Sequence, residues 1–507
     1  MKYTRILFLC FTMFLVEHAT LTAQSSESST QGEQTLEALA EESDNAKEQN
    51  TNIDTAETNT EHETETAATE SPYPPQARLN GRHIAVAISE TLLSNIFLTT
   101  FNRIVLEKPY AIINLDTIKT NIINPWVWDN DEFNINQAGH PLQGSFYFVA
   151  GRSNGFNFWQ SLLLTTFGSV TWEIFAENET PSYNDLIITP TGGAVFGEIL
   201  HRLYLNANKK LPALAWILSP QDALTYLITG ERAPDVHGGI EQLEFYLPLG
   251  FSTTNLFFEK NTPNKNDTYI PNIGLGVNVI YGDAFGHDTQ EPLDSFTFTI
   301  EMNGAQNNFY MAILFDGLLF SRALWDWQDF HTTLGISLHY DYIYENVINY
   351  SNNAIGITFS QRFQFGNGWQ FQYTGHLNWS YLCGIDYYWL LVNDAREDEN
   401  GEEQRLYDLD MGGTFKTSLQ LSHRLFGTLS LKAQAGIFHT IPRTIPSQGS
   451  SSTSAVQLCE LSYEHMLNSH LALGISDIFY HKTALYHQKE DLEQFTNYVR
   501  LFAKYKW

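Results

Sequence analysis

Five side chains in one segment of the chain are of the types that bind metal ions or transfer protons. They lie within residues 128–202 and are His140, Glu173, Asp185, Glu198 and His201. If the helices that carry them pack together, their imidazole and carboxylate groups could converge as metal ligands or as an acid and base pair. Glu198 and His201 have the spacing of a carboxylate-bridged metal helix, but that site needs a second copy, and the sequence has none. We assign catalytic candidates to His140, Glu173 and Asp185, and we assign no metal ion and no cofactor.

The same groups also have structural interpretations, which the sequence favours over a catalytic site. Asp185 can cap a backbone turn, and Glu198 can pair with Arg202 one helical turn later. Arg152 can pair with Glu173 or with a helix end. The sequence shows no nucleophile elbow, no Cys-x-x-Cys motif, no phosphate loop and no His-Glu-x-x-His motif.

Helix signals indicate how these residues are positioned. Pro141 is favoured in the first turn of a helix that is predicted to run to about Ser153, where Asn154 and Gly155 end it. A second helix is predicted over residues 156–177.

This second helix is long enough to span a membrane. A Glu173 side chain inside hydrocarbon would cost roughly 2–3 kcal/mol. We therefore predict a core helix in which Trp172 and Glu173 face other protein.

A third helical region follows Pro181. The Ser182 hydroxyl is expected to accept a backbone N–H while the Asp185 carboxylate reaches back to the start of the turn. Pro190 is expected to restart the helix, because proline is favoured at a first helical position. Gly193 and Gly197 then present backbone against which another helix can close.

The first ordered helix is predicted from Arg82 to Glu107, with Pro109 as a stop. Polar residues such as Glu90 and Asn95 recur among its apolar ones. We therefore predict that this helix is buried against protein rather than facing lipid.

A further helix is predicted over residues 211–227, with a break at 219–222. Gly238 and Gly239 then close a helical domain that occupies residues 81–239.

A series of short motifs occurs in order between residues 128 and 202. They are Trp128-x-x-Asp131-x-Phe133-x-x-Asn136, His140-Pro141-x-x-Gly144-Ser145, Ala150-Gly151-Arg152-Ser153-Asn154-Gly155, Gly168-Ser169, Trp172-Glu173, Pro181-Ser182-x-Asn184-Asp185, Thr189-Pro190-x-Gly192-Gly193 and Gly197-Glu198. In these motifs the chain resembles the family known as domain of unknown function 3943. The resemblance implies an exported protein of a diderm bacterium with a β-rich C-terminal part, and it implies no established activity.

Charge and aromatic content restrict the class of protein. The formal net charge of the 507 residues is −29, so we predict no nucleic-acid partner, because a polyanion would be repelled. Aromatic residues make up 14% of the chain while the mean hydropathy is −0.24. This combination suits half-apolar β-strands better than a bundle of membrane helices.

The N-terminal part has the pattern of an exported protein. Two basic residues, an apolar run and a small residue predict a secretory signal peptide at residues 1–23. Residues 24–80 are acidic and almost without large apolar side chains, so we predict a disordered tether. After removal of the signal, Cys383 and Cys459 remain; an oxidising compartment could join them, but nothing in the sequence requires it.

From residue 240 onwards, apolar and polar residues alternate. The predicted strands are centred near residues 246, 275, 299, 313, 336, 359, 375, 418, 434, 459, 474 and 501. Each is long enough to cross a bilayer as a tilted strand of about 9–11 residues. The predicted fold class is α+β: a helical domain followed by an antiparallel transmembrane β-barrel of about 12 strands at residues 240–507.

The last strand carries the strongest local signal. Residues from Val499 to Trp507 alternate and end on an aromatic residue, which resembles the signature that barrel-assembly machinery reads in outer-membrane proteins. We therefore predict a location in the outer membrane of a diderm bacterium, with membrane lipid and the assembly machinery as partners. A secreted soluble β-sandwich is the alternative.

Several ionisable residues fall on the polar face of the predicted strands. They are expected to line a lumen and are His331, His339, His376, Glu460 and Asp477. No convincing Ser-His-acid set is visible in the barrel sequence. A barrel of about twelve strands would be narrow or filled by side chains.

The function predicted from the sequence is an envelope structural or lipid/ligand-contact role, for an outer-membrane barrel whose helical domain lies on the periplasmic side or in the lumen. One alternative is a hydrolase of envelope lipid or peptidoglycan that uses His140, Glu173 and Asp185. The other is a narrow transport pore.

Overall fold

The computed structural model describes residues 76–258, 270–305, 308–345, 348–387, 389–390, 397, 401 and 404–507. The predicted signal peptide at residues 1–23 lies outside the described residues, and so does the predicted tether up to residue 75. Gln76, which the sequence placed in the tether, forms a β-bridge with Arg232. Gln76 is therefore paired with the helical domain instead of lying in a tether.

Within the described residues, seven α-helices precede the first strand. They are α1 (Gly81–Ile104), α2 (Leu115–Ile123), α3 (His140–Ser153), α4 (Phe158–Phe175), α5 (Tyr183–Asn208), α6 (Pro212–Leu218) and α7 (Pro220–Thr229). Polar side chains cap several of them, because the first N–H groups of a helix have no partner within the helix. Asn157 and Gln160 form a capping box at α4, and the Ser182 hydroxyl accepts the Asp185 N–H at α5 at 3.2 Å. The helix α2 was not predicted; the other helices lie close to the predicted ranges.

The start and middle of α5 differ from the prediction in two details. The helix continues through Pro190 instead of restarting there, because proline removes a single interior hydrogen bond and packing on both sides holds the helix together. The Asp185 carboxylate does not reach back to the Ser182 N–H. Glu173 Oε2, from α4, accepts that N–H at 2.8 Å.

Twelve antiparallel strands follow. They are β1 (Ile240–Phe258), β2 (Ile270–Tyr281), β3 (Phe296–Ala305), β4 (Asn308–Trp327), β5 (Phe330–Glu345), β6 (Ile348–Phe365), β7 (Trp369–Asp386), β8 (Tyr407–His423), β9 (Gly427–Thr440), β10 (Ser452–Met466), β11 (Leu471–Tyr486) and β12 (Leu492–Lys506). Each strand pairs with its neighbours in sequence, and β1 pairs with β12 to close a barrel. All twelve predicted strand centres fall inside these strands, and the predicted α+β fold class is confirmed.

The two ends of the barrel differ in their connections. The end that we call the turn end carries short connections at residues 328–329, 366–368, 424–426 and 467–470, together with the longer β2–β3 connection at residues 282–295. The other, the loop end, carries the longer connections at residues 387–406, 441–451 and 487–491.

Each strand presents one face to the lumen and one to the outside, as side chains alternate along a strand. On β5, Leu334 and Ile336 are apolar, outward-facing and 42% and 44% exposed. The alternate residues face the lumen, where Asp341 Oδ1 lies 2.8 Å from Lys416 Nζ on β8.

Charged pairs cross the lumen between strands that are not neighbours in the sheet. Lys482 on β11 pairs with Asp386 on β7, and Arg500 on β12 pairs with Glu301 on β3. Because these strands are not adjacent, the paired side chains meet in the lumen and fill it.

One predicted lumen residue lies on the outward face, and the two cysteines are not joined. Asp477 was predicted to line the lumen, but it is exposed and shares the outward face with Leu473 and Ile475. Cys383 and Cys459 are both free thiols. They point to opposite faces of the wall, since Cys383 packs in the lumen core while Cys459 alternates with lumen residues.

The helical domain packs against the outside of the barrel wall. Tyr340 and Tyr342 share the outward face of β5 with Ile336, yet they are only 0% and 3% exposed. Phe196 of α5 covers Tyr340 at 5.1 Å between ring centroids, and Asn134 accepts a hydrogen bond of 2.6 Å from the Tyr342 hydroxyl. The predicted position of this domain in the lumen is therefore wrong, because the domain lies beside the barrel wall. Alternation along a strand determines its two faces but not what covers them.

The helix α5 crosses the wall from the loop end to the turn end. Its 26 residues span about 39 Å. Near its last turns, Arg202 donates to the Tyr281 hydroxyl at the turn end. Near its start, Asn136 donates both to Asp129, beside α5, and to the hydroxyl of Tyr407, which follows the 387–406 loop.

The burial of α1 is the reverse of that of a soluble helix. Its buried residues are mostly polar: His83, Ala87, Glu90, Thr91, Asn95 and Asn102. Its large apolar residues are exposed: Ile84, Ile88, Leu92, Leu93, Ile96, Phe97 and Ile104. The predicted burial of this helix against protein is therefore wrong for its apolar side. By length and composition, α1 is also the one helix among the described residues that could span a membrane.

Candidate functional site

A contact between glycines places the predicted catalytic residues together. A Cβ added at Gly144 of α3 would lie 2.1 Å from the Thr189 carbonyl oxygen and 3.0 Å from the Gly193 Cα of α5. The two helix backbones therefore touch. His140 lies one helical turn before Gly144, and Asp185 lies two turns before Gly193, so the contact sets these side chains opposite each other.

The structure brings all three predicted residues into one buried cluster. His140, at the start of α3, places Nε2 at 3.5 Å from Asp185 Oδ1 at the start of α5. Glu173, near the end of α4, is 0% exposed. One nitrogen or oxygen atom from each of the three residues lies within 4.8 Å of the others. We call this set the three-residue cluster.

A fourth acidic residue, Asp129, organises the surroundings of this cluster. Its Oδ2 accepts hydrogen bonds of 2.6 Å from the Ser182 hydroxyl and of 2.6 Å from the Asn184 amide. Its Oδ1 accepts a bond of 2.7 Å from the Asn136 amide. Asp129 was not among the predicted site residues, although it lies inside the Trp128-x-x-Asp131 motif. Its spacing from the helices gave no indication that it folds back onto α5.

Asp129 and Asp185 are linked directly. Burial alone would raise the pKa of Asp129, but hydrogen bonds, the strongest from the Asp185 carboxyl group and the Ser182 hydroxyl, outweigh it and lower that pKa. A hydrogen bond between two carboxyl groups requires a proton on one of them. Burial and the neighbouring Asp129 raise the pKa of Asp185 well above its usual range.

Glu177, one turn beyond Glu173, adds to the local excess of acid. Burial raises the pKa of Glu177 well above its usual range, and the neighbouring Glu173 and Glu179 raise it further. Its Oε2 accepts a hydrogen bond of 2.9 Å from the Trp172 indole.

The other two ionisable candidates, Glu198 and His201, lie elsewhere. They are on the second half of α5, about 20 Å along the helix from Asp185. Glu198 Oε1 lies 2.7 Å from Arg202 Nε, as its i,i+4 spacing predicted. His201 Nδ1 contacts Asp222 Oδ1 of α7 at 2.8 Å. These groups therefore belong to a separate network near the turn end.

Arg152 belongs to that second network as well. It was predicted to pair with Glu173 or a helix end, but its Nε lies 2.9 Å from Glu198 Oε2 and its Nη2 lies 3.4 Å from Glu291. Arg202 Nη2 also reaches Glu291, at 3.0 Å. Because Glu291 lies in the β2–β3 connection, two arginines and two glutamates join the bundle to the barrel.

The lumen contains a Ser-His-Asp series that the sequence analysis missed. Ser337 Oγ lies 2.7 Å from His339 Nε2, and His339 Nδ1 lies 2.5 Å from Asp316 Oδ1. Ser337 and His339 are two residues apart on one face of β5, and this spacing was the signal in the sequence that could have indicated the pair. Their acidic partner, Asp316 on β4, depends on the strand register and could not be predicted. Both side chains are buried, and Ser337 also contacts the Thr358 hydroxyl. The arrangement leaves the serine without an approach for substrate.

Comparison with known proteins finds a family match for one segment of the chain. Residues 125–215 match the model of a family described as Domain of unknown function (DUF3943), which confirms the resemblance inferred from the motifs. No curated protein matches the chain.

Several solved barrels are similar at low identity. The COG4313 outer membrane channel from Pseudomonas putida F1 is 9% identical, covers 55% of this chain and 100% of its own, and has a TM-score of 0.26. The outer membrane protease OmpT from Escherichia coli is 7% identical, covers 54% and 99%, and has a TM-score of 0.17. The P. putida toluene transporter TodX is 8% identical, covers 54% and 90%, and has a TM-score of 0.20. At these scores the similarity implies no shared activity, and the strand pairing of this chain establishes its barrel.

Proposed function

We propose that this protein resides in the outer membrane and presents a helical bundle to the lipid beside its barrel, in a lipid-contact role. The observation that carries the proposal is the reversed burial of α1, whose apolar side chains face away from the protein. Exposed apolar residues on a protein surface mark a partner, and a surface this long and continuous fits acyl chains.

The dimensions of the bundle support this placement. With 24 residues, α1 spans about 36 Å, slightly more than a hydrocarbon core of about 30 Å. It runs from the turn end, where Arg82 Nη1 lies 3.2 Å from Glu231 Oε1 just before β1, to the loop end, where Thr99 donates to the carbonyl of Ala176. The helices α1, α3, α4 and α5 alternate in direction and pack on one another.

The apolar surface of the bundle continues beyond α1. Exposed residues on the other helices are Trp159, Leu163, Phe167 and Phe175 of α4, Leu214, Trp216 and Ile217 of α6, and Leu224, Leu227 and Ile228 of α7. The barrel exterior beside them is also apolar, as on β1 with Phe245, Leu247, Leu249 and Phe251. One lipid phase can therefore cover both.

Lipid contact predicts where reagents reach α1. In a Cys459→Ser background, a spin label at Leu93→Cys should collide with oxygen, which concentrates in hydrocarbon, and be protected from a water-soluble nickel chelate. Leu249→Cys on β1 is the lipid control, and Gln488→Cys in the 487–491 loop is the aqueous control. If the label at Leu93 behaved like the one at Gln488, the proposal would be wrong.

A second candidate function is hydrolysis of envelope lipid or peptidoglycan by the three-residue cluster. It is favoured by the convergence of His140, Glu173 and Asp185 at the loop end of the bundle, where an imidazole lies beside two carboxyl groups. On this hypothesis His140→Ala abolishes hydrolysis of vesicle phospholipid or of peptidoglycan by the purified protein, with unchanged thermal unfolding. A loss of folded protein without any hydrolysis by the wild type would exclude it.

The third expectation, a transport pore, receives less support. Side chains of Lys482, Asp386, Arg500 and Glu301 meet across the lumen, and charged pairs that fill a barrel of this size oppose the passage of solutes.

A further inference from the structure

We propose that His140, Glu173 and Asp185 bind one divalent transition-metal cation of the Zn²⁺ class between the starts of α3 and α5 and the end of α4. This inference goes beyond the lipid contact proposed above and does not depend on it.

The geometry of the three-residue cluster is close to that of a metal site. Ligand atoms around a tetrahedral Zn²⁺, with bonds of about 2.0–2.1 Å, lie about 3.3 Å apart. His140 Nε2 and Asp185 Oδ1 are 3.5 Å apart, and the whole set lies within 4.8 Å. A side-chain adjustment of roughly 1 Å would bring Glu173 to the same ion. One imidazole and two carboxylates leave a fourth position for water or a ligand.

The surroundings of His140 favour the tautomer that binds metal. Its Nδ1 lies 3.3 Å from the Thr189 hydroxyl oxygen, which can accept a hydrogen bond from Nδ1–H. Nε2 then keeps its lone pair and faces Asp185. Ligating histidines usually donate their second N–H in this way, which fixes both the tautomer and the ring orientation.

Glu173 supplies a second observation that points to a ligand. One of its oxygens, Oε2, accepts the Ser182 N–H. The other, Oε1, is buried and has no hydrogen-bond partner among the described residues unless the neighbouring carboxyl group of Glu177 carries a proton. A buried carboxylate oxygen without a partner is costly, so a group that coordinates it would remove a penalty that the protein alone leaves in place.

The charges around the cluster also favour a cation. Besides burial, the groups that raise the pKa of Asp185 are three further acids, Asp129, Glu173 and Asp131. Among the ion pairs of the described residues, Asp185 is paired with no lysine or arginine. Protons can neutralise such a set, and so can one divalent ion. The histidine makes the ion the better match, because an imidazole among carboxylates selects transition metals over Mg²⁺ or Ca²⁺.

The test uses the full-length protein purified in detergent, stripped with a chelator and titrated with Zn²⁺ and with Co²⁺ as a spectroscopic probe. We expect one equivalent of either ion and visible Co²⁺ bands typical of four-coordinate nitrogen and oxygen ligation. Glu173→Gln and Asp185→Asn should weaken Zn²⁺ binding by at least about 100-fold. Glu90→Gln is the matched control, since Glu90 is another buried carboxyl group of the bundle with one unpartnered oxygen, and it should bind Zn²⁺ like the wild type.

A variant that fails to fold would not leave the question open. Asp185→Cys keeps a metal-binding side chain and should add a thiolate-to-cobalt charge-transfer band that the wild type lacks. Three results would overturn the proposal: no metal bound by the wild type, unchanged affinity in folded Glu173→Gln and Asp185→Asn, or no new band in folded Asp185→Cys. The second result would mean that the ion binds elsewhere, and the first that protons alone neutralise the acids.

Discussion

Replacement of Gly144 by alanine is expected to separate α3 from α5 and to destabilise the helical bundle by about 2 kcal/mol or more. The added Cβ would lie 2.1 Å from the Thr189 carbonyl oxygen, and backbone cannot rotate away as a flexible side chain can. Both helices would have to move apart. Because His140 and Asp185 lie on these helices within two turns of the contact, the three-residue cluster would open as well.

The measurement is thermal unfolding of the purified protein, followed by its far-UV helical signal, with the β signal as an internal reference for the barrel. We expect the helical transition of Gly144→Ala to shift to lower temperature. Gly81→Ala is the matched control: it lies at the start of α1, has nothing within 4 Å of the added Cβ, and should be neutral or stabilising by up to about 1 kcal/mol. Equal stability of the two variants would show that α3 and α5 are not in backbone contact.

Replacement of Arg202 by methionine is expected to loosen the bundle from the barrel, at a cost of about 3–5 kcal/mol. Arg202 is fully buried and holds Glu198 at 2.7 Å and Glu291 at 3.0 Å. Methionine keeps most of the side-chain volume of arginine, but Glu198 and Glu291 each lose one positively charged partner. Removal of one partner from a buried ionic network costs far more than removal of an exposed pair, because the remaining charge stays out of water.

The control for this prediction is Arg322→Met. Arg322 pairs with Asp288 at the surface, where its side chain is 66% exposed, so its loss should change stability by less than about 1 kcal/mol. Urea unfolding of the two variants in the same detergent makes the comparison. Limited proteolysis at residues 283–295 should also increase in Arg202→Met, since this connection loses its attachment to α5. Similar stability of the two variants would contradict a buried role for Arg202.

Local signals in the sequence were sufficient for the elements of this fold except the short helix α2, which was not predicted. Strand alternation placed all twelve strands, because a side-chain period of two is imposed by the backbone and does not depend on distant contacts. The helix starts predicted at Pro141 and Ser182 were equally local, since the first turn of a helix is stabilised by residues of that same turn. His140, Glu173 and Asp185 were candidates for the site because imidazole and carboxylate groups bind metal ions and transfer protons. The motifs around them indicated the resemblance to the family whose model matches residues 125–215.

Contacts across the chain decided the remaining features. Nothing in the sequence indicated that Asp129 joins the cluster or that Arg152 pairs with Glu198, because side chains dozens of residues apart meet only through helix packing. The mixture of Glu90 and Asn95 with apolar residues on α1 was interpreted as burial in protein. In the folded protein these polar groups face the bundle while Leu93 and Phe97 face outward.

The sequence by itself determined that the chain builds a helical domain and a barrel, and it placed His140, Glu173 and Asp185 on three successive helices. Only the tertiary structure decided that the helices lie on the outside of the wall and that the three side chains meet. The physical reason is that periodicity defines the faces of a helix or strand, whereas the partner of each face depends on shape: here the Gly144–Gly193 contact, and the outward tyrosines of β5 that α5 covers.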